Sequence, residues 1–395
     1  MAVNSKRAPR KESLEEVTMK KLNKSVLFLP FLQIPSGHHQ TANALIDGLL
    51  TLHPQITCEK IDVLSYSYGK IESLVSNIYL KWIDAFPGLY HFIYQNSVYK
   101  NIDKNKRFWL YEYLFISKIK RLLEEKQPDL IICTHALPSY MLNYMKEKDG
   151  LTIPVINVYT DFFIHRFWGV KNIDFHFVPS YQMKKFLIQK GIKEEQIFIT
   201  GIPIHSSIIK QKNTSAPLSP FRLSVLIAGG NLGVGAIEEL IQFIVEGSHN
   251  WHIKYYVLCG KNVKLYKKLK SMQKSHIIPF PYIDSREEMN RLYDQMDAIL
   301  TKPGGVTISE CLFKRKPIFI YDALPGQEEI NLQHLKELGV VYHLNKGDIH
   351  EQILSVFFDE KELEKYQLYV TNYHLHINTT EPAKLISDLL IEQLH

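Results

Sequence analysis

Short runs rich in β-branched and aromatic residues recur along this chain, and a longer amphipathic stretch follows almost every one of them. A strand that returns parallel to its neighbour needs a crossover, usually a helix. Alternation of this kind therefore predicts parallel sheets covered by helices, an α/β class. The first half offers candidate strands at 26–30, 56–64, 130–134, 155–159, 175–178 and 197–200; the second offers them at 223–228, 255–259, 277–280, 298–301 and 318–321. Between the halves, 211–220 reads QKNTSAPLSP, a polar stretch that can neither extend a helix nor enter a central strand, and so a linker. From Asp348 onward the pattern is helical, with Leu385, Leu389, Leu390 and Leu394 at roughly helical intervals, and these helices are expected to pack on one domain. The expected units are a disordered basic tail at 1–24, an N-terminal domain at 25–210, the linker, a C-terminal domain at 221–348 and C-terminal helices at 349–395.

A length of 395 residues suits about two domains of ~150 residues, and 45% hydrophobic content supports substantial cores, which excludes a fibrous or mainly disordered chain. The net charge of +6 is too small for a surface built to hold nucleic acid, so no such partner is expected. Residues 1–24 hold seven basic and three acidic side chains, which accounts for most of that surplus. Cys58, Cys133, Cys259 and Cys311 lie far apart with no C-x-x-C pair, a pattern that fits a reducing cytoplasm better than a disulfide framework or a zinc site. There is no uncharged apolar stretch of about 18 residues, and residues 1–24 lack the apolar centre of a secretion signal. The expected protein is soluble or rests on a membrane without crossing it.

The densest chemistry lies at 301–331, TKPGGVTISECLFKRKPIFIYDALPGQEEIN. A strand ending at Thr301 meets Pro303, Gly304 and Gly305, where missing β-carbons let backbone amides approach a ligand. Helix cues follow: Thr307 with Glu310 three residues on, then Lys314, Arg315 and Lys316 before Pro317. The free amides and partial positive charge of a helix N-terminus suit a phosphate or diphosphate. Glu310 has two readings, a capping carboxylate in an S/T-x-x-E box or an acceptor of hydrogen bonds from a ribose diol. Further on, Gln327, Glu328 and Asn331 gather at the start of a helix predicted to run to Leu338 and stop at Gly339. Together they suit a polyhydroxylated ligand; taken singly, Gln327 and Glu328 also fit a solvated helix start.

The first half repeats this logic. The strand at 26–30 leads through a loop to His38 and His39 and then to a stripe of Ala42, Leu45, Ile46 and Leu49, which puts His38 at the mouth of the first βα loop. A histidine there is either a polar surface group or the side chain best able to take a proton near neutral pH. Asp161, just past the strand at 155–159, is expected to orient His38, to act as base itself or to cap the next element. A third glycine loop, beginning Gly229, Gly230 and Asn231, follows the first strand of the second half. It lacks a Walker lysine and a dinucleotide-binding acid, and is read as lining the cleft near the phosphates of a ligand. No D-x-D triplet occurs, so no metal ligands are assigned, and the glycine turn and helix end have to stabilise a leaving group themselves.

In combination these segments resemble the family of monogalactosyldiacylglycerol synthases and processive diacylglycerol glucosyltransferases. More distantly, they are similar to the bacterial enzyme that adds N-acetylglucosamine to a lipid-linked cell-wall precursor. The signatures are GHHQTANAL at 37–45, TDFFIHRFW at 160–168, ITGIPI at 199–204, TKPGGVTISE at 301–310 and PGQEEIN at 325–331. The resemblance implies two Rossmann-like domains facing a cleft, the glycosyltransferase-B type, with the acceptor side N-terminal and the nucleotide-sugar side C-terminal. It implies an inverting transfer of a hexosyl group from a UDP-sugar to diacylglycerol or a glycosyl-diacylglycerol, with no metal or other cofactor. By motif position, His38 resembles the family's catalytic histidine, and Pro303, Gly304, Gly305, Thr307 and Glu310 resemble its donor-binding turn and helix. Gln327, Glu328 and Asn331 resemble the sugar-facing loop, and the stretch with Phe280 and Tyr282 looks like the region that holds the base. One departure is that Gly37 alone precedes His38, where relatives often have several glycines.

Fourteen of the 50 residues at 66–115 are aromatic, well above the 12% of the whole chain, and Lys81, Lys100, Lys104, Lys106 and Arg107 lie among them. Rings beside cations suit a bilayer interface with anionic lipid; an aromatic core with solvated lysines is the competing reading. With the basic first 24 residues, the expected location is peripheral, on the cytoplasmic face of the cell membrane. Rival readings keep the fold and change the chemistry: a cell-wall lipid or small metabolite as acceptor, a UDP-sugar epimerase that needs no acceptor, or a sensor that binds the nucleotide sugar without turnover.

Overall fold

The computed structural model describes residues 24–31, 36–69, 107–211, 222–229, 234–246, 253–345 and 347–392, and within them two six-stranded sheets, both wholly parallel, organise the chain. Nearly all of the basic tail, most of the linker and the middle of the aromatic stretch lie outside the described residues. The first half runs β1 (Ser25–Leu29), α1 (Gly37–Leu52), β2 (Thr57–Lys60), α2 (Val63–Tyr68), α3 (Trp109–Lys126), β3 (Leu130–Cys133), α4 (Ala136–Lys148), β4 (Val155–Val158), β5 (Phe175–Val178), α5 (Tyr181–Gln189) and β6 (Ile197–Ile199). Its strand order is β2-β1-β3-β4-β5-β6. The second runs β7 (Leu223–Ala228), α6 (Val234–Glu246), β8 (Ile253–Leu258), α7 (Val263–Ser271), β9 (Ile277–Phe280), α8 (Arg286–Gln295), β10 (Ala298–Thr301), α9 (Gly305–Phe313), β11 (Ile318–Ile320), α10 (Gln327–Leu338) and β12 (Tyr342–His343), in the order β12-β11-β10-β7-β8-β9.

Helices cover both faces of each sheet, so central strands such as Leu130–Cys133 and Ala298–Thr301 are buried throughout and read as continuous apolar runs. Each sheet also reverses direction once. From β1 the chain first builds outward to β2 and then crosses back to place β3 on the other side; β7 stands in the same relation to β8 and β10. Loops diverge at such a reversal and leave a crevice at the carboxyl ends of the strands, where ligands of this architecture collect.

Three expectations need correction. The strand expected at 56–64 stops at Lys60, because the Asp62 carboxylate accepts from the Ser65 amide and caps α2. β12 was not foreseen: it is two residues long and, among the described residues, pairs with Phe319 and Ile320 of β11. The C-terminal helices do not share one domain. In α11 (Ile349–Phe358), Ile349, Ile353, Leu354 and Phe357 join the second core, and in α12 (Glu360–Leu375), Tyr366, Val370 and Tyr373 pack in the cluster of α9. The last helix, α13 (Pro382–Glu392), returns to the first half, where Ala383, Leu385, Ile386 and Leu390 pack with Val26, Phe28, Ala42, Leu45 and Leu49.

Candidate active site

At the first reversal, α1 starts without a side-chain cap from Ser36 and without an acid in its first turn. His38 stands in that turn. Its Nδ1 lies 2.8 Å from the carbonyl oxygen of Thr134, just past β3, and 2.8 Å from Oγ1 of Thr160, just past β4. A carbonyl only accepts, so Nδ1 carries the proton and donates it, and Nε2 keeps its lone pair. Burial pushes the His38 pKa below the ordinary value, while the Asp161 charge and the Thr134 carbonyl offset part of that effect. The imidazole is therefore neutral at neutral pH. His135 packs edge-on to it at 4.7 Å between ring centres and stacks on Phe31. Burial also holds His135 well below the ordinary value and His165 down to about 3, which makes this a set of uncharged imidazoles.

At the second reversal, the Thr301 hydroxyl donates to the Ala228 carbonyl at 2.7 Å, tying β10 to β7. The chain then turns through Pro303 into α9. Gly304 is the N-cap, no side chain caps the helix, and no acid lies in its first turn. The first amides thus lack intrahelical acceptors and present partial positive charge. The expected S/T-x-x-E box does not form, because α9 already begins at Gly305, which leaves Thr307 inside the first turn and Glu310 in the second. Glu310 instead accepts from the Tyr293 hydroxyl at 2.8 Å and lies 3.9 Å from the Arg286 guanidinium. Burial raises its pKa against the opposing pull of both partners.

The two reversals meet. A β-carbon on Gly305 would come within 1.9 Å of the Thr160 carbonyl oxygen, so the start of α9 abuts the residue that holds His38. Beside this contact, Asp161 Oδ2 accepts from Gln327 Nε2 and Oδ1 from Asn331 Nδ2, each at 2.8 Å, and the Phe162 amide donates to Asn331 Oδ1. Asp161 therefore does not orient His38 through a hydrogen bond; it acts on it by charge alone. Glu328 accepts from the Leu324 amide, and burial raises its pKa. Along the α1–α9 interface a polar cavity of about 140 Å³ is lined by Gln40, Asn43, Asp47, Arg286 and Glu310, among others.

Residues 38–204, the segment that carries this histidine, match the family model for monogalactosyldiacylglycerol (MGDG) synthase. The chain is 46% identical over 355 residues to the glycosyltransferase YkoN of Bacillus subtilis (strain 168), an alignment covering 89% of this chain and 93% of the relative. It belongs to the MGDG synthase and diacylglycerol glycosyltransferase family. A processive diacylglycerol beta-glucosyltransferase of Bacillus thuringiensis (strain Al Hakam) is 28% identical over 372 residues, 91% of this chain and 92% of that one. Among solved structures, the kitacinnamycin glycosyltransferase aligns with a TM-score of 0.60 at 12% identity, over 93% of this chain and 99% of that one. At that identity the likeness is one of fold: two Rossmann-like domains of the glycosyltransferase-B type.

In this glycosyltransferase the remaining expected site residues fall in different places. Pro303 is buried beneath the glycine turn. Gly229 directly follows β7 where a β-carbon would collide with Ile237 of α6, while Gly230 and Asn231 lie outside the described residues. The Phe280 carbonyl, at the end of β9, accepts from the Cys259 amide, and the exposed Tyr282 ring has the Lys261 ammonium 5.5 Å from its centre. Thr134, Thr160, Tyr293 and Arg286 were missed, although the first two follow strand ends and were open to the same argument as Asp161. The aromatic stretch divides: Phe115 is core and Phe108 stacks on Phe167 at 4.1 Å, whereas Trp109 and Tyr113 are 71% and 80% exposed. Among the described residues, no helix is long and apolar enough to cross a membrane.

Proposed function

We propose that this enzyme moves a hexosyl group from a UDP-sugar to the hydroxyl of diacylglycerol or a glycosyl-diacylglycerol, with inversion at the anomeric carbon. The observation that carries the reading is the pairing of a neutral His38, its Nδ1 proton fixed on Thr134, with the uncapped start of α9 next to Thr160. His38 Nε2 takes the proton of the acceptor hydroxyl as its oxygen attacks the anomeric carbon. The bond to the diphosphate breaks on the opposite face, and the α9 amides receive the charge that develops there. Asp161 stabilises the imidazolium that forms. Gln327 and Asn331 each give one amide hydrogen to Asp161 and keep a second suited to a sugar hydroxyl, and Glu310 is positioned to accept from a ribose diol. The reaction as proposed uses no metal, so a chelator leaves the rate unchanged. The lipid acceptor is supported by the name of the glucosyltransferase relative, and a peripheral membrane position by the exposed Trp109 and Tyr113.

The test is to incubate purified protein with UDP-glucose or UDP-galactose and diacylglycerol vesicles and to identify the lipid product by mass. His38→Ala is expected to abolish turnover while UDP affinity survives. Equal activity in that variant moves the base elsewhere, and a product formed from the UDP-sugar without lipid favours an epimerase.

A further inference from the structure

Charge is concentrated on this molecule. Residues 247–283 carry seven lysines and no arginine, aspartate or glutamate, so this one segment contributes +7 where the whole chain sums to +6. Outside it and residues 1–24, the rest of the chain is net −5. The fold gathers the seven lysines further. Lys264, Lys267, Lys268 and Lys270 belong to α7, Lys261 precedes it, Lys274 follows it, Lys254 lies on the adjoining β8, and all are exposed. Leu265 and Leu269 fill the opposite, buried face of α7, which turns the lysines toward solvent. Among the described residues, Glu238 of α6 is the acid that pairs with this set, 3.6 Å from Lys268.

Apolar surface adjoins the lysines. A groove of about 400 Å³ between α6 and α7 is lined by the apolar Ile241, Val245, Leu265, Leu269 and Met272 and by the polar Glu238, Glu239, Gln242 and Lys268. Phe243 and Val263 stand 47% and 60% exposed on the same two helices. A nucleic acid would engage the ammonium groups and leave the apolar groove unused. A bilayer uses both, since anionic headgroups meet the lysines while aromatic and aliphatic side chains enter the interfacial zone.

We infer that the lysine face of α7, with the α6–α7 groove, is a docking surface for an anionic lipid bilayer, a contact made by the C-terminal half in addition to the exposed start of α3. The inference rests on the proposed reading only in taking the acceptor to lie in a bilayer. The full-length protein and a Lys264→Gln/Lys267→Gln/Lys268→Gln variant are sedimented with vesicles of phosphatidylcholine alone and of phosphatidylcholine enriched in phosphatidylglycerol. The wild type is expected to prefer the anionic vesicles in a salt-sensitive manner, and the variant to lose roughly a hundredfold in affinity for them at low ionic strength. Transfer to diacylglycerol dispersed in detergent is expected to be equal in both, because none of the three lysines belongs to the site. Unchanged vesicle affinity in the variant overturns the inference; so does a variant that loses binding to a single-stranded RNA probe and keeps its vesicles. Failure of the wild type to transfer sugar in detergent strikes the proposed reaction instead, and the vesicle measurement, which needs no turnover, still decides the docking face.

Discussion

Asp161 lies close enough to His38 to raise the proton affinity of the imidazole, yet both of its carboxylate oxygens are held by Gln327 and Asn331 from the other half of the molecule. This arrangement makes a signed prediction. The proposed reaction needs Nε2 unprotonated, so kcat/KM is expected to fall as pH drops through the folded pKa of His38, which burial has already placed below the ordinary ~6.5. Asp161→Asn removes a contribution that raises this pKa. The acid limb of the kcat/KM profile should then move to lower pH, with kcat reduced by roughly tenfold or more because the imidazolium loses its neighbouring anion. A limb that stays in place or moves upward would show that Asp161 does not act on His38 by charge. His38 and Asp161 were legible in the sequence because each follows a strand that periodicity identifies. The partners that fix the tautomer were not, since Thr134 and Thr160 are 96 and 122 positions from His38 and meet it only once β1, β3 and β4 align.

Parallel strands were readable one by one because helices bury both faces and leave nearly unbroken apolar runs. Their ends were less so. The signals that mislead are short and local: Asp62 reads as the middle of a strand until its carboxylate is seen capping α2, and Thr307 with Glu310 reads as a capping box although Gly304 is already the N-cap and the helix starts at Gly305. Gly304 and Gly305 were expected to admit a ligand, and for Gly305 the structure adds a second reason. Its missing β-carbon also lets α9 close against the Thr160 backbone. Gly305→Ala places a carbon 1.9 Å from a carbonyl oxygen that no rotamer change can move, so the start of α9 has to withdraw from His38. A misplacement of about 1 Å costs on the order of a hundredfold in rate when groups must align for transfer. The expected outcome is a kcat lowered by about that factor with unchanged helical content by circular dichroism. Wild-type kcat in this variant would separate the α9–Thr160 contact from catalysis.

Across the whole molecule, the chain ends by crossing back to the half in which it began, and helical periodicity cannot reveal which half a terminal helix joins. The route is visible in its contacts. The Asn378 amide donates to the Ile199 carbonyl of β6, Glu381 pairs with Lys210, and Ser387 Oγ lies 2.7 Å from His53 Nε2 just past α1. Between these ties α13 packs along α1, with Ile386 fully buried against its Leu45–Leu49 face and Ala383 directly over Gly48. The N-terminal turn of the same helix carries His38, so α13 supports the proposed base from the far end of the helix that positions it. Ile386→Ala opens a cavity in that packing and is expected to destabilise the protein by about 2–5 kcal/mol. Because α13 is the C-terminal segment of the N-terminal core, the loss should appear first as faster amide hydrogen exchange in α1 and β1, before any change in β7 or β10. Activity at low temperature should stay near wild type, since no atom of the site is removed, and should fall earlier on heating. Exchange that speeds equally in both sheets would instead mean that the halves unfold as one unit, with α13 serving as a strap between them.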